Sequence, residues 1–526
     1  MIELLDLPNE LILAVMNKVK HRVLLFCSII GIGNNRLEQL AIDKCRSIDL
    51  TFDYRQSPHE QLMERFYSHV LPYIYKNVQS LTLTIDHLSD ISTFAEENCD
   101  GTFPNLTHLK IMLPRKCHIT GTTSTLGNNM ISSMHGRCLF SVLPQLSGFD
   151  MMESSLTISA FRCSRFMRSI ISFELDEDCV LPSLAKDDDL FFPQSSRLTH
   201  IRITLLFLDD CIRLLNQLGS QLYSFAVSLP YPSPRQNSNA MSRIASISCP
   251  YLKELTITSY RNIPQYERYI VPLLQRLPTI EYLTLLLAVG VESFLPRRFI
   301  DGYDLQRDII SHMPHLRQFY IHIRSIVVSV PHTDTDTIRQ SFSHQEQSVD
   351  CVLDYFNNDC GQCQIFSLPF IGTRLDFISN RFPLFDENKN TFSNVTTILL
   401  FDDVKPFEHN FFVLVSRALP HFKSLEVFNR LEQQEKTTTN LIKFPHLTTL
   451  ILYDKHINYA EQFLCRTHLP CLVELLIHYE PLSTIIAQHP EEAKNNCLKI
   501  EFLHFADDVS TDPTDPLLDF FPSVHR

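Results

Sequence analysis

Apolar residues recur along this chain in one fixed arrangement. In CPYLKELTI (249–257) the order is apolar, Pro, any, apolar, any, any, apolar, any, apolar. It returns as FPNLTHLKI (103–111), LPQLSGFDM (143–151), LPTIEYLTL (277–285), MPHLRQFYI (313–321), LPHFKSLEV (419–427), FPHLTTLIL (444–452) and LPCLVELLI (469–477). Looser copies without the Pro are KNVQSLTLTI (76–85), RSIISFEL (168–175), SSRLTHIRI (195–203), SQLYSFAV (220–227), SNVTTILL (393–400) and KIEFLHF (499–505). We anchor each copy on the apolar residue that opens its LxxLxL core. The anchors are then 78, 106, 146, 170, 198, 222, 252, 280, 316, 395, 422, 447, 472 and 500. Ten of the thirteen gaps lie between 24 and 30 residues, and one, from 316 to 395, is 79.

The last two apolar residues of each copy are two apart, so they point to one side of a short strand. Helix-like stretches such as CIRLLNQLG (211–219) and HNFFVLVSRALP (409–420) lie between copies. The motif's Pro lacks an amide donor and biases its predecessor away from helix, which ends the helix before the strand. Strand plus helix at this period predicts an α/β chain stacked into a curved solenoid, with a parallel sheet on its concave side. The long gap is expected to hold one or two irregular repeats, with Cys363, Phe366 and Leu368 as the best remnant.

Residues 1–48 follow another pattern. In LPNELILAVMNKV (7–19), Leu11, Ile12, Val15, Met16 and Val19 fall on one helical face. Pro8 suits a first turn, and Glu10 sits where the helix dipole favours an anion. VLLFCSII (23–30) and NNRLEQLAIDK (34–44) complete three short helices. A unit this small must dock on the next domain or hold a partner with spare apolar surface. The expected organisation is helical unit 1–48, linker helix 49–75, repeat array 76–509 with an irregular insert at 325–390, and tail 510–526.

Composition narrows the classes. Lys and Arg number 46 against 59 Asp and Glu, a net charge of −13, with no basic run, which argues against nucleic-acid binding. Only 12 of 526 residues are Gly, and neither GxGxxG nor GxxxxGK occurs. The longest apolar runs are about half the ~20 residues a membrane helix needs. Fifteen scattered cysteines and an acidic N-terminus read as reduced thiols in a cytoplasmic or nuclear protein. CGQC (360–363) is a lone pair without the second pair a structural zinc site wants, so no metal or cofactor is expected, and no Ser/His/Asp or Cys/His arrangement emerges from spacing, so no catalytic residue is expected either. The acidic run at 176–189 lacks Ca²⁺-loop spacing and reads as a solvated loop.

The repeat resembles the leucine-rich repeats of F-box proteins over residues 76–505, CPYLKELTI being close to their cysteine-containing variety. The N-terminal stretch resembles an F-box through Leu7, Pro8, Glu10 and Leu11, then Val15, Met16 and Val19, then Val23 and Leu24, then Arg36, Leu37 and Ala41. The chain departs from that family in having no Trp. The resemblance implies a non-catalytic subunit of a Skp–cullin–F-box ubiquitin ligase. Leu7, Pro8, Glu10, Leu11, Val15, Met16, Val19, Val23 and Leu24 would meet the Skp-type adaptor, and the repeats would hold a protein substrate. Two other readings stay open: a leucine-rich-repeat scaffold whose first helices only cap the array, and, more distantly, an enzyme grafted on the solenoid.

The outward residue six past each anchor is mostly small or polar in the first seven copies. From the eighth copy it becomes Leu286, His322, Phe401, Phe428, Tyr453 and His478, with Tyr320 nearby. An exposed aromatic stripe would mark a target site. The expected contacts are Tyr320, His322, Phe401, Phe428, Tyr453 and His478, unless loops or a folded-back tail (Leu517, Phe520, Phe521) cover them.

Overall fold

In the computed structural model the described residues are 7–112 and 165–524, less 17, 19–21, 32, 45, 51–56, 177–178, 182–191, 194–195, 231, 233–238, 264, 291–297, 344–346, 358–359, 384–390, 430, 435–440, 454–455 and 507–515. Helices α1 (Asn9–Met16), α2 (Arg22–Ile29) and α3 (Asn35–Lys44) occupy the first segment. Ile12 and Met16, one turn apart on α1, are buried. Gly31 and Gly33 hold positive φ in the turn between α2 and α3, and both amides donate to Glu38 Oε1 at 3.1 and 3.0 Å. Such a turn favours residues without a Cβ. Arg36 on α3 donates to Asn9 Oδ1 (2.8 Å) and the Leu7 carbonyl (2.7 Å), tying α3 to the start of α1. Arg65 donates to the Cys27 and Ile30 carbonyls at the end of α2, fastening the helices to helix Ser57–Arg65.

The first sheet has twelve strands: β1 (Ser47–Leu50), β2 (Ser80–Thr84), β3 (His108–Met112), β4 (Ser172–Leu175), β5 (Val180–Leu181), β6 (His200–Leu205), β7 (Ser224–Ser228), β8 (Glu254–Ile263), β9 (Tyr282–Gly290), β10 (Gln318–Val328), β11 (Val349–Tyr355) and β12 (Cys360–Ser367). Neighbours follow chain order and pair in parallel from β1 to β10, with β5 as a side pair to β6. Every copy of the motif on described residues opens its strand two residues past its anchor: 78 leads to Ser80, 252 to Glu254, 316 to Gln318. One hydrogen-bond scheme repeats beneath this. The Thr199 carbonyl accepts from the Tyr223 and Ser224 amides, that of Tyr223 from Lys253 and Glu254, and that of Lys253 from Glu281 and Tyr282, all at 2.8–3.1 Å.

That scheme also corrects the count of repeats. The Arg46 carbonyl accepts from Gln79 and Ser80, and the Thr373 carbonyl from Thr396 and Thr397. CRSIDL (45–50) and GTRLDFI (372–378) are therefore two further units, with Cys and Gly where a large apolar anchor was sought. β3 pairs directly with β4, His108 with Ser172; the copy LPQLSGFDM (143–151) lies outside the described residues. The 316–395 gap is not a degenerate repeat at Cys363, Phe366 and Leu368. There β12 runs antiparallel to β10 and β11 antiparallel to β12, ending the parallel series.

A second, six-stranded sheet follows, so the expected single array is two sheets. It comprises β13 (Arg374–Ile378), β14 (Thr397–Phe401), β15 (Ser424–Phe428), β17 (Thr449–Leu452), β19 (Glu474–Ile477) and β20 (Phe502–Phe505), all parallel. Between them, β16 (Ile442–Lys443) and β18 (Thr467–His468) form a separate pair. Two large cores match the two sheets. The first runs continuously from Ile12 to Ile365, so α1–α3 share it with β1–β12. The β11–β12 hairpin separates the two: Cys351, Cys363 and Ile365 pack into the first core, Val352 and Phe366 into the second. Leu517 and Phe521 of the tail join the second core.

Candidate interaction sites

On α1, Leu11 and Val15 are 52% and 49% exposed and stand one turn apart, with Pro8 and Glu10 also exposed. Ile12 and Met16, on the adjacent stripe of the same helix, fill the core. Covering the exposed pair with a partner would contribute roughly 1–1.5 kcal/mol per side chain. Leu7 is half-buried against the core. Met16 and Val23 are buried, which corrects the expectation that they meet an adaptor: a side chain filling a core has no surface to offer. Val19 and the side chain of Leu24 lie outside the described residues.

The aromatic stripe expected to be exposed is packed away. Phe401 is 2% exposed, His322 5% and His478 9%, while Tyr320, Phe428 and Tyr453 are half-buried. The cover over Phe401 is not the tail. Phe356, at the end of the hairpin strand β11, meets Phe401 edge-on with centroids 5.0 Å apart. Phe377 of β13 lies 5.6 Å from Phe401 on another side, and Phe428 stacks on it at 5.4 Å and 12°. His478 Nε2 sits 3.0 Å from the Tyr453 carbonyl. Phe401 and Phe428 thus lie under a junction between elements, not on a free face, while Tyr320 stays on the outward side of the first sheet.

The junction is polar as well as aromatic. Gln362 and Gln364 of β12 donate to the Phe377 carbonyl at 2.9 and 3.1 Å, standing in for a backbone ladder between the two sheets. Arg324 of β10 lies over the Phe377 ring at 4.1 Å and donates to the Tyr260 carbonyl (3.2 Å). Arg374 of β13 bonds Asp376 Oδ1 (2.7 Å) and Glu426 Oε1 (3.1 Å) and lies over the Tyr260 ring at 5.4 Å. Burial works against the Arg374 charge, but Asp376 and Glu426 more than offset it and hold its pKa above the usual range. Burial pushes the Glu426 carboxyl up to about 7, with Asp376 adding to the rise and Arg374 and the Tyr453 hydroxyl opposing it. Burial pulls His322 down to about 4, so its ring, 3.1 Å from Gln364 Oε1, is neutral. The buried, mutually paired Arg374, Asp376 and Glu426 locate one element on another, while the buried Nη1 of Arg324 has no hydrogen-bond partner among the described residues.

The open face belongs instead to the first sheet. Positions two, four and six past each anchor point away from the helices. In register across the sheet these run Asp49, Thr82, Lys110, Glu174, Arg202, Ala226, Thr256, Thr284 and Tyr320. Lys110 and Glu174 pair at 2.7 Å. His108, His200, Arg202 and Tyr282 are exposed, and the Ser and Thr between them are mostly half-buried. At the edge where the strands begin, Lys253 and Arg317 both bond Glu281, at 2.9 and 3.2 Å.

The CGQC pair does not converge. Residues three apart on a strand point to opposite faces, so Cys363 enters the first core while Cys360 packs beside Phe356 and Phe401. Burial drives the Cys363 thiol well above its ordinary pKa and raises Cys351 to about 12. Among the described residues no group of three or more His, Cys, Asp or Glu is placed to hold a metal ion, and no helix is long and apolar enough to cross a membrane. Most of the acidic run at 176–189 lies outside the described residues.

No protein-family profile matches the chain, and no curated protein matches it.

One signal in the sequence marks the covered face. TILLF (397–401), TLIL (449–452) and ELLI (474–477) are near-continuous apolar runs, the pattern of a strand buried on both sides. HLKIM (108–112) and SFAVS (224–228) alternate, the pattern of a strand with one wet face, and their outward residues are half-buried or exposed.

Proposed function

We propose that the protein is a non-catalytic substrate-recognition subunit of a Skp–cullin–F-box type ubiquitin ligase, working in the cytoplasm or nucleus. In this reading residues 1–48 are an F-box, and α1 lays Leu11 and Val15 on the Skp-type adaptor. The units anchored from 45 to 316 are leucine-rich repeats whose open, concave face holds a protein target. The subunit makes and breaks no bonds; it raises the effective concentration of the target beside the ligase core.

The observation that carries the reading is the two-sided character of α1. Ile12 and Met16 hold it to the core while Leu11 and Val15 leave an apolar ridge facing solvent. The test is capture of purified Skp-type adaptor by the full chain and by a Leu11→Asp, Val15→Asp variant. Capture by the wild type and loss in the variant, at an unchanged melting temperature, supports the proposal. Equal capture by both proteins sinks the assigned contact.

A second reading is favoured by the continuous core from Ile12 to Ile365, which suits helices that merely cap a leucine-rich-repeat scaffold. Failure of the wild type to capture the adaptor would select it.

A further inference from the structure

The chain carries −13, yet its charge is unevenly placed. Consider the eight copies anchored at 78, 106, 170, 198, 222, 252, 280 and 316, and in each the two residues either side of the anchor and the outward residue four past it. These positions hold seven bases (Lys76, Lys110, Arg168, Arg197, Lys253 and Arg317, with Arg202) against three acids, Glu174, Glu254 and Glu281. The three acids do not cancel the bases. Glu174 is matched by Lys110, and Glu281 is shared by Lys253 and Arg317. Among the described residues the side chains of Arg168, Arg197 and Arg202 make no ion pair or hydrogen bond, and all three are exposed, Arg202 lying in register beside Glu174. They sit on or just before the adjacent strands β4 and β6.

Beside them, three successive copies expose a tyrosine: Tyr223 (42%), Tyr251 (65%) and Tyr282 (37%), with the Tyr223 ring 5.4 Å from that of His200. Arginine and tyrosine are the residues that dominate interface energetics. From β4 to β9 the sheet spans about 19 Å at ~4.8 Å per strand, the reach of roughly six extended residues.

We propose that this edge and the open face beside it bind an acidic, extended peptide segment. Its carboxylates would meet Arg168, Arg197 and Arg202, and its remaining side chains would lie on Tyr223, Tyr251 and Tyr282. The inference deepens the target-binding role proposed for the repeats and rests on it. A peptide can place its carboxylates only where the arginines stand, whereas a polynucleotide carries a phosphate at every nucleotide and would set some beside the interspersed Glu174, Glu254 and Glu281.

The test uses the full chain and fluorescence anisotropy at low and moderate salt. The probes are a labelled twelve-residue peptide alternating glutamate and alanine, its lysine counterpart, and a twelve-nucleotide oligouridine. The acidic peptide is expected to bind, more weakly at higher salt, and to lose about tenfold or more in affinity in an Arg168→Glu, Arg197→Glu, Arg202→Glu variant. Tyr251→Ala should weaken binding without changing the salt dependence. No binding of the acidic peptide, equal binding of the lysine peptide, tighter binding of oligouridine, or indifference to the charge reversal would each overturn the proposal. Adaptor capture by the same variant separates the two readings. Retained capture with lost peptide binding supports both. Peptide binding by a wild type that captures no adaptor leaves this inference standing and removes the ligase.

Discussion

Glu426 offers a quantitative test of the junction between the sheets. Its side chain has no solvent exposure, and its neighbours are Arg374 and Asp376 from β13, the Tyr453 hydroxyl beyond β17, and Arg374's own partner Tyr260 from β8. The carboxyl's ordinary value of 4.5 rises to about 7, chiefly because burial disfavours the charge. A folded-state pKa above the unfolded one means that the native state keeps its proton longer. Below about pH 4.5 both states hold the proton and nothing is lost. From there to about pH 7 the native state loses about 1.4 kcal/mol per pH unit, and above that a penalty on the order of 3 kcal/mol persists. Glu426→Gln keeps the shape and cannot ionise. The stability of the wild type relative to this variant should therefore fall by about 2–3 kcal/mol between pH 5 and pH 8. For a unit the size of the second sheet with its helices, that is about 5–10 °C in melting temperature. The chain has no Trp, so far-UV circular dichroism is the natural probe. A difference between the two proteins that stays flat across this range would refute the reasoning, and would mean that Arg374 holds the carboxylate charged despite its burial.

Three further outcomes are expected. Phe366→Ala removes a ring packed against Phe370, Phe382 and Phe392 and should cost about 3–5 kcal/mol in thermal or urea unfolding; a loss under about 1 kcal/mol would show that the hairpin does not anchor the second core. Ile12→Ala should destabilise the helical segment by about 2–5 kcal/mol, whereas Leu11→Ala should leave melting nearly unchanged, which circular dichroism of the two variants checks. Under native conditions a maleimide should label the exposed Cys471 and spare the buried Cys211, Cys363 and Cys497, as read by site-resolved mass spectrometry; rapid labelling of Cys363 would contradict its place in the first core.

Residue order alone determined where the strands begin, because the signals involved are local. An apolar pair two apart makes one strand face, and a preceding Pro ends a helix; neither depends on distant residues. Hence Ser80, His200, Glu254 and Phe502 all open strands two residues past anchors read from the pattern. The α1 face was legible for the same reason, through Ile12 and Met16 one turn apart. Units at Cys45 and Gly372 escaped because their anchors are small, and only the carbonyls of Arg46 and Thr373, each taken up by the next unit, reveal them. Tertiary structure decided what covers which face. Leu399 and Phe401 point outward whatever surrounds them, but whether that means solvent or Phe356 depends on a hairpin about 40 residues upstream in the chain. Burial is a property of contacts between elements, and an apolar residue at an outward position is compatible with either outcome. The same holds for the charges. Arg374, Asp376 and Glu426 read as ordinary surface residues until β13 is set across Tyr260 and the low dielectric of the junction couples them.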